Sequence, residues 1–216
     1  DVFLEKFIKN ARHIEIQIFG FGEKKAVHFY ERDCSLQRRF QKIIEESPAP
    51  KVESNIIKKM AENAVNFASN QNYEGAGTIE FIYDVDEKKF YFLEMNTRIQ
   101  VEHPVTEAIT NSDLVEMQIK FALGIDIDFT EQNKISRNGH AIECRLYAED
   151  PSKNFLPSPG KISKLKIPNA GLTNIRLDIG FEEGDEISFY YDPMKAKIIS
   201  KGSNRTESIN NMINFL

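Results

Sequence analysis

The chain has 216 residues, of which 41% are hydrophobic and 28% charged, with a net charge of −5. These proportions exclude whole-chain disorder, the acidic balance argues against non-specific nucleic-acid binding, and no apolar run approaches the roughly 18 residues of a membrane span. Cys34 and Cys144 are far apart and in no CxxC pairing, which argues against a disulfide framework or structural zinc and favours a reduced intracellular compartment.

The opening DVFLEKFIKN has the character of neither a signal peptide nor a transit peptide. Because the chain starts without Met and stops inside an apparent helix, RTESINNMINFL, it is expected to be a fragment. His13 to Phe19 alternates as a strand. Gly20 and Gly22 are expected to turn the chain into a returning strand, AVHFY. Residues 31–50 are densely charged and end in Pro48 and Pro50, which lead into a helix over Lys51 to Asn70. There Ile56, Ile57, Met60, Ala61, Ala64, Val65 and Ala68 form one apolar stripe. Thr78 to Tyr83 and Phe90 to Glu94 read as strands around a polar turn, DVDEKK. A helix follows from Asp113 to Leu123, with Ser112 as its expected cap and Gly124 at its end. A polar stretch from Glu131 to Asn138 marks a soft boundary. Beyond it AIECRLY, KISKLKI, NIRLDI, EISFYY and AKIIS are short strand candidates, closed by a helix after Asn204.

Chemistry concentrates at the second hairpin. A turn centred on Glu87 sets Glu80 opposite Glu94, and two facing carboxylates need a compensating cation. Glu94 and Asn96 share a strand face. Two carboxylates and an amide oxygen suit Mg²⁺ or Mn²⁺. Polar residues continue at Arg98, Gln100 and Glu102, so an extended backbone would carry them in series, although His103-Pro104 suggests an early turn.

FLEMNTRIQVEHPVTE (92–107) closely resembles a motif of biotin carboxylases, within the ATP-grasp superfamily. ERDCSLQRRFQK with IIEESPAP (31–50) and GHAIECRLYAEDPSKNFLPSPGKI (139–162) resemble two further segments of that family. The resemblance implies an α+β fold. Residues 1–135 would be the catalytic part of an ATP-grasp domain with a mostly antiparallel sheet and helices, lacking the N-terminal domain and most of the lid. Residues 136–216 would be a truncated, β-rich biotin carboxylase C-terminal domain. It also implies ATP-dependent carboxylation of biotin by bicarbonate through carboxyphosphate.

By motif match, Glu80, Glu94 and Asn96 hold the divalent ions, with Glu80 and Glu94 also on the ATP side. Glu102 is the general base, and Arg98 orients carboxyphosphate. Lys42, Gln100 and Val101 complete the bicarbonate pocket, and Arg145 supports bicarbonate and the biotin ureido oxygen. Glu5, Lys6, Phe7 and Ile8 match the adenine hinge, and His13, Gln37 and Ile82 face the nucleotide. Phe40 stands where the family often has His, which removes a polar contact. His103 is read as structural, and Glu74-Gly75-Ala76-Gly77 as too short for a phosphate loop.

The implied partners are a biotinylated carrier domain, a carboxyltransferase β subunit and a second copy of the chain, with no nucleic acid and no membrane. RLYAEDP and YYDPM favour an acyl-CoA carboxylase α subunit of propionyl- or 3-methylcrotonyl-CoA type. Acetyl-CoA, pyruvate or urea carboxylases, a carbamoyl phosphate synthetase-like ligase, or a non-catalytic truncated module are the alternatives. The isolated fragment is expected to be inactive. The expected location is cytoplasmic in a bacterium and the mitochondrial matrix in a eukaryote.

Overall fold

The computed structural model describes residues 2, 4–168 and 173–216. The chain divides into two compact units, Asp1–Asn138 and Gly139–Leu216.

In the first unit, strands β1 (Ala11–Gly22), β2 (Lys25–Arg38) and β3 (Gln41–Ser47) are followed by helix α1 (Ser54–Asn70), β4 (Glu74–Asp84), β5 (Lys89–Asn96) and helices α2 (His103–Thr110) and α3 (Leu114–Ala122). The strands lie in the order β3-β2-β1-β4-β5, and the neighbouring pairs are antiparallel. β1 is central and sorts its side chains by the period-2 rule. Ile14, Ile16 and Ile18 point into a core with Met60, Ala61, Ala64 and Ala68 of α1 and with Ile79, Phe81 and Tyr83 of β4. The opposite face carries Glu15, Gln17 and Phe19. Phe19 packs with Val27, Phe29, Leu114 and Met117 in a second core.

One expected turn and one expected helix cap are corrected. The β1–β2 hairpin turns at Glu23 and Lys24 (φ 47° and 59°), not at Gly20 and Gly22. Gly20 stays within the strand because the Tyr73 carbonyl crosses it so closely that a Cβ there would lie 2.1 Å from its oxygen. The charged segment after residue 30 completes β2 and forms β3, joined by a two-residue turn at Arg39 and Phe40 (φ 52° and 65°). The α3 cap is Asp113, whose carboxylate accepts the Glu116 N–H at 2.7 Å, not Ser112. Residues 103–110 form the short helix α2, with Pro104 in its first turn, where the absent N–H costs nothing.

The second unit contains β6 (His140–Tyr147), β7 (Glu149–Asp150), β8 (Leu156–Pro157), β9 (Gly160–Lys161), β10 (Ile175–Ile179), β11 (Glu186–Ile187), β12 (Met194–Gly202) and α4 (Arg205–Phe215). The strands β10-β12-β6 pair antiparallel under α4. Of KISKLKI and EISFYY, only the first residues pair, β9 with β11; the remainder runs outside regular structure.

Candidate active site

The antiparallel registers bring distant carboxylates into one row across the first unit. Arg32 pairs with Glu15 across β2 and β1, Glu15 with Glu80 across β1 and β4, and Glu80 with Glu94 across β4 and β5. The next row runs Gln17, Thr78 and Asn96. The expected Glu80–Glu94 juxtaposition is therefore realised by register, with a β-bulge immediately beyond it at Leu93.

Lys42, on β3, is the cation that compensates the Glu15 and Glu80 carboxylates of this row. Its Nζ donates to Glu15 Oε2 at 2.6 Å, Glu80 Oε1 at 2.8 Å and Glu102 Oε1 at 2.6 Å. Burial works against the Lys42 charge, but Glu15, Glu102 and Glu80 outweigh it and push its pKa up. Burial likewise works against ionisation of Glu15, yet Arg32 and Lys42 hold its carboxyl well below the usual range. Burial would lower the pKa of His13; the carboxylates of Glu15 and Glu80, 3.4 and 3.1 Å from its Nε2, raise it instead to about 9. The ligand atoms of His13, Glu15 and Glu80 lie within 4.8 Å of one another.

Behind this row lies Arg32, 0% exposed, which bonds Glu15, Gln17, Thr78, Thr106 and Gln100. Gln100 passes a hydrogen bond on to Glu80 Oε1 at 2.7 Å. Cys34, also buried, lies within 4.8 Å of Glu15 and Glu102 at its sulfur. Its pKa is pushed well up, by burial first and then by Glu15, so it remains a thiol.

The strand ends at Asn96, and the backbone does not stay extended to Glu102. Arg98 accordingly folds back: its Nη2 donates to Asn96 Oδ1 at 2.9 Å, while Asn96 Nδ2 donates to Glu94 Oε1 at 3.0 Å. Val101 is half-buried in the turn ahead of α2, and Glu102, 2% exposed, sits at the N-cap of that helix. His103 Nδ1 lies 2.8 Å from the Gln100 carbonyl, so it donates there and pins the turn. The set of Glu80, Glu94 and Asn96 fits a hard divalent cation: the two carboxylates are register partners, and Asn96 lies one pleat along on the same face.

The nucleotide-side residues are more dispersed. Gln37 Nε2 donates to the Cys34 carbonyl at 2.8 Å and lies 3.3 Å from His13 Nδ1. Ile82 pairs with His13 across β4 and β1 and shares the face of Glu80. Glu5, Lys6, Phe7 and Ile8 lie outside regular structure. Lys6 Nζ meets Glu87 Oε1 at 2.8 Å and Tyr91 Oη at 3.2 Å. Phe40 is 97% exposed at its hairpin turn. Residues 74–77 belong to β4 rather than to a loop. Arg145 belongs to the second unit, on β6 opposite Lys197.

Sequence reasoning missed Glu15, Gln17, Arg32, Thr78 and Thr106. The signal was present: a charged residue inside an alternating strand that lies at the centre of a sheet is buried and must be paired.

A family model described as "Carbamoyl-phosphate synthase L chain, ATP binding domain" matches residues 1–130, and one described as "Biotin carboxylase C-terminal domain" matches residues 143–216. Biotin carboxylase 1 of Bacillus subtilis is 50% identical over 211 residues, covering 98% of this chain and 46% of that protein. The mitochondrial propionyl-CoA carboxylase alpha chain of Sus scrofa is 50% identical over 214 residues, covering 99% of this chain and 29% of that protein. The biotin carboxylase domain dimer of Hydrogenobacter thermophilus 2-oxoglutarate carboxylase, in complex with MgADP, ADP and bicarbonate, superposes with a TM-score of 0.92 at 41% identity, covering 98% of this chain and 46% of that one. The chain spans less than half the length of these relatives. Two successive family matches and these identities place one conclusion beyond the fold itself: the chain belongs to the biotin carboxylase family, joining an ATP-grasp segment to a biotin carboxylase C-terminal segment.

Proposed function

We propose that this chain is the catalytic part of a longer protein that uses ATP to carboxylate biotin with bicarbonate. The observation that carries this reading is the contact of the buried Glu102 carboxylate with Lys42 Nζ at 2.6 Å, beside Gln100. It sets a proton acceptor next to a cation and an amide donor, which is what deprotonating and holding a small oxyanion requires.

In this reading Lys42, Gln100 and the Val101 backbone hold bicarbonate, and Glu102 takes its proton. The resulting dianion attacks the γ-phosphorus of ATP, the bond to ADP breaks, and carboxyphosphate forms. Arg98 orients carboxyphosphate with its planar fork. The C–O bond of carboxyphosphate to its phosphate then breaks, the departing phosphate takes the proton from N1′ of biotin, and N1′ bonds the released carboxyl carbon, with Arg145 on the ureido oxygen. Glu80, Glu94 and Asn96 would hold Mg²⁺ or Mn²⁺, which when bound neutralises phosphate oxygens. His13, Gln37, Ile82, Phe40 and residues 5–8 form the nucleotide side. The occupants named for the Hydrogenobacter structure, MgADP and bicarbonate, support this assignment.

Biotin would arrive on a carrier domain. The name of the Sus scrofa relative supports an acyl-CoA acceptor and a mitochondrial location for a eukaryotic protein, and in this reading the partner is a carboxyltransferase β subunit. Among the described residues no helix is long and apolar enough to cross a membrane.

The test is ATP cleavage by the full-length protein with Mg²⁺. Cleavage that requires bicarbonate and rises with free biotin supports the reading. Cleavage indifferent to both sends the assignment to another ATP-grasp ligase.

A further inference from the structure

Arg32 takes no part in the chemistry above, yet it heads the fully buried side chains by volume. A guanidinium has five N–H donors and no acceptor, so every atom that meets Arg32 must accept. Its Nε reaches Glu15 Oε1 at 2.6 Å. Nη1 reaches Gln17 Oε1 at 2.6 Å and Thr106 Oγ1 at 3.0 Å. Nη2 reaches Thr78 Oγ1 at 3.0 Å and Gln100 Oε1 at 2.8 Å. These partners come from β1, β4, α2 and the turn before it, so one side chain ties together the elements that frame the site.

The donors also fix polarity. A glutamine amide can exchange its O and N by flipping. With its oxygen held by Arg32, Gln100 must turn its NH₂ outward, where it donates to Glu80 Oε1 at 2.7 Å. Flipped, it would set its oxygen against that carboxylate. Gln17 is oriented in the same way, donating to the Gly77 carbonyl at 2.9 Å. Glu15, with one oxygen on Arg32, keeps the other for Lys42 at 2.6 Å.

We propose that Arg32 is the positioning residue that makes Gln100 a hydrogen-bond donor towards the bicarbonate oxyanion and fixes Glu15 against Lys42. This rests on the biotin carboxylase reading, and a wild-type protein whose ATP cleavage ignores bicarbonate would sink that reading itself.

The test is steady-state kinetics of the full-length protein. Arg32→Lys keeps the charge but cannot reach five acceptors with a single ammonium. The bicarbonate KM is expected to rise about tenfold, the size of one lost charge-assisted hydrogen bond, while the ATP KM changes less than about twofold. In a Gln100→Ala background Arg32→Lys should raise the bicarbonate KM by a smaller factor than in the wild type, the remainder acting through Glu15 and Lys42. In a protein whose cleavage does require bicarbonate, an unchanged bicarbonate KM, a purely additive double variant or an equal rise in both KM values overturns the proposal. If Arg32→Lys fails to melt cooperatively, Thr106→Val and Thr78→Val each remove one acceptor that aims the guanidinium. Each should then raise the bicarbonate KM roughly threefold, about the worth of one neutral hydrogen bond, and no change in either overturns the proposal.

Discussion

His28, paired with Ile18 on the sheet face that α1 covers, illustrates how a residue reports its own surroundings. Burial, and then the Arg137 guanidinium, lower its pKa to about 4. Its Nδ1 accepts the Tyr30 N–H at 3.2 Å, and Gln132 brackets its backbone, donating to its carbonyl at 3.0 Å and accepting from its N–H at 2.9 Å. A histidine kept neutral in the fold contributes stability that is complete above the unfolded pKa of roughly 6.5 and is lost as pH falls towards 4. The loss between these limits is on the order of 3 kcal/mol. Ring-proton NMR should therefore show His28 neutral at pH 5. The stability advantage of the wild type over His28→Gln should shrink as pH falls from about 6.5 to 4. A His28 midpoint near 6.5 would show that its environment exerts no such effect.

At the scale of elements, alternation and hairpin length made the Glu80–Glu94 pair legible before any coordinates. The helical stripe of α1 was equally plain. What escaped was the β2–β3 hairpin, because Glu31, Arg32, Asp33, Glu45 and Glu46 look like a solvated surface run. In the fold Glu31, Arg32, Asp33 and Glu45 are buried, and three of them find charged partners on other elements: Glu31 meets Arg137 at 2.9 Å, Arg32 meets Glu15 at 2.6 Å, and Asp33 meets Arg12. Single-sequence periodicity shows which residues share a face but not that both faces of a central strand are covered. Helix α2 escaped because eight residues are too few to establish a helical period.

The Arg39-Phe40 turn belongs to the same scale. Both residues take positive φ, where a Cβ is unfavourable, and the Phe40 ring is 97% exposed. Phe40→Gly should stabilise the protein by about 1 kcal/mol in denaturant melts, because glycine meets no steric penalty there. A loss of stability would mean that the exposed ring has a packing role.

For the whole molecule, the division of labour is clear. The first unit carries the cation–carboxylate row, the Glu102 turn and the candidate metal ligands on one sheet face. Its other face is packed by α1. In the second unit, β10, β12 and β6 pack under α4, and Arg145 lies on β6. The sequence resemblance assigned roles to Lys42, Gln100 and Glu102, which lie in its quoted segments, and to Glu80, which lies outside them. It gave no role to Glu15, or to Arg32 although Arg32 lies in the 31–50 segment, because their contacts appear only when the strands align. The central claim is that Glu102, held at 2.6 Å from Lys42, is the base that activates bicarbonate. The direct measurement is ATP-dependent transfer of labelled bicarbonate carbon to free biotin by the full-length protein, comparing wild type with Glu102→Gln. Loss of a positioned base predicts a fall of about 100-fold or more in label transfer, with the protein still folded. Label transfer that survives in Glu102→Gln, or that proceeds without ATP, would contradict the account.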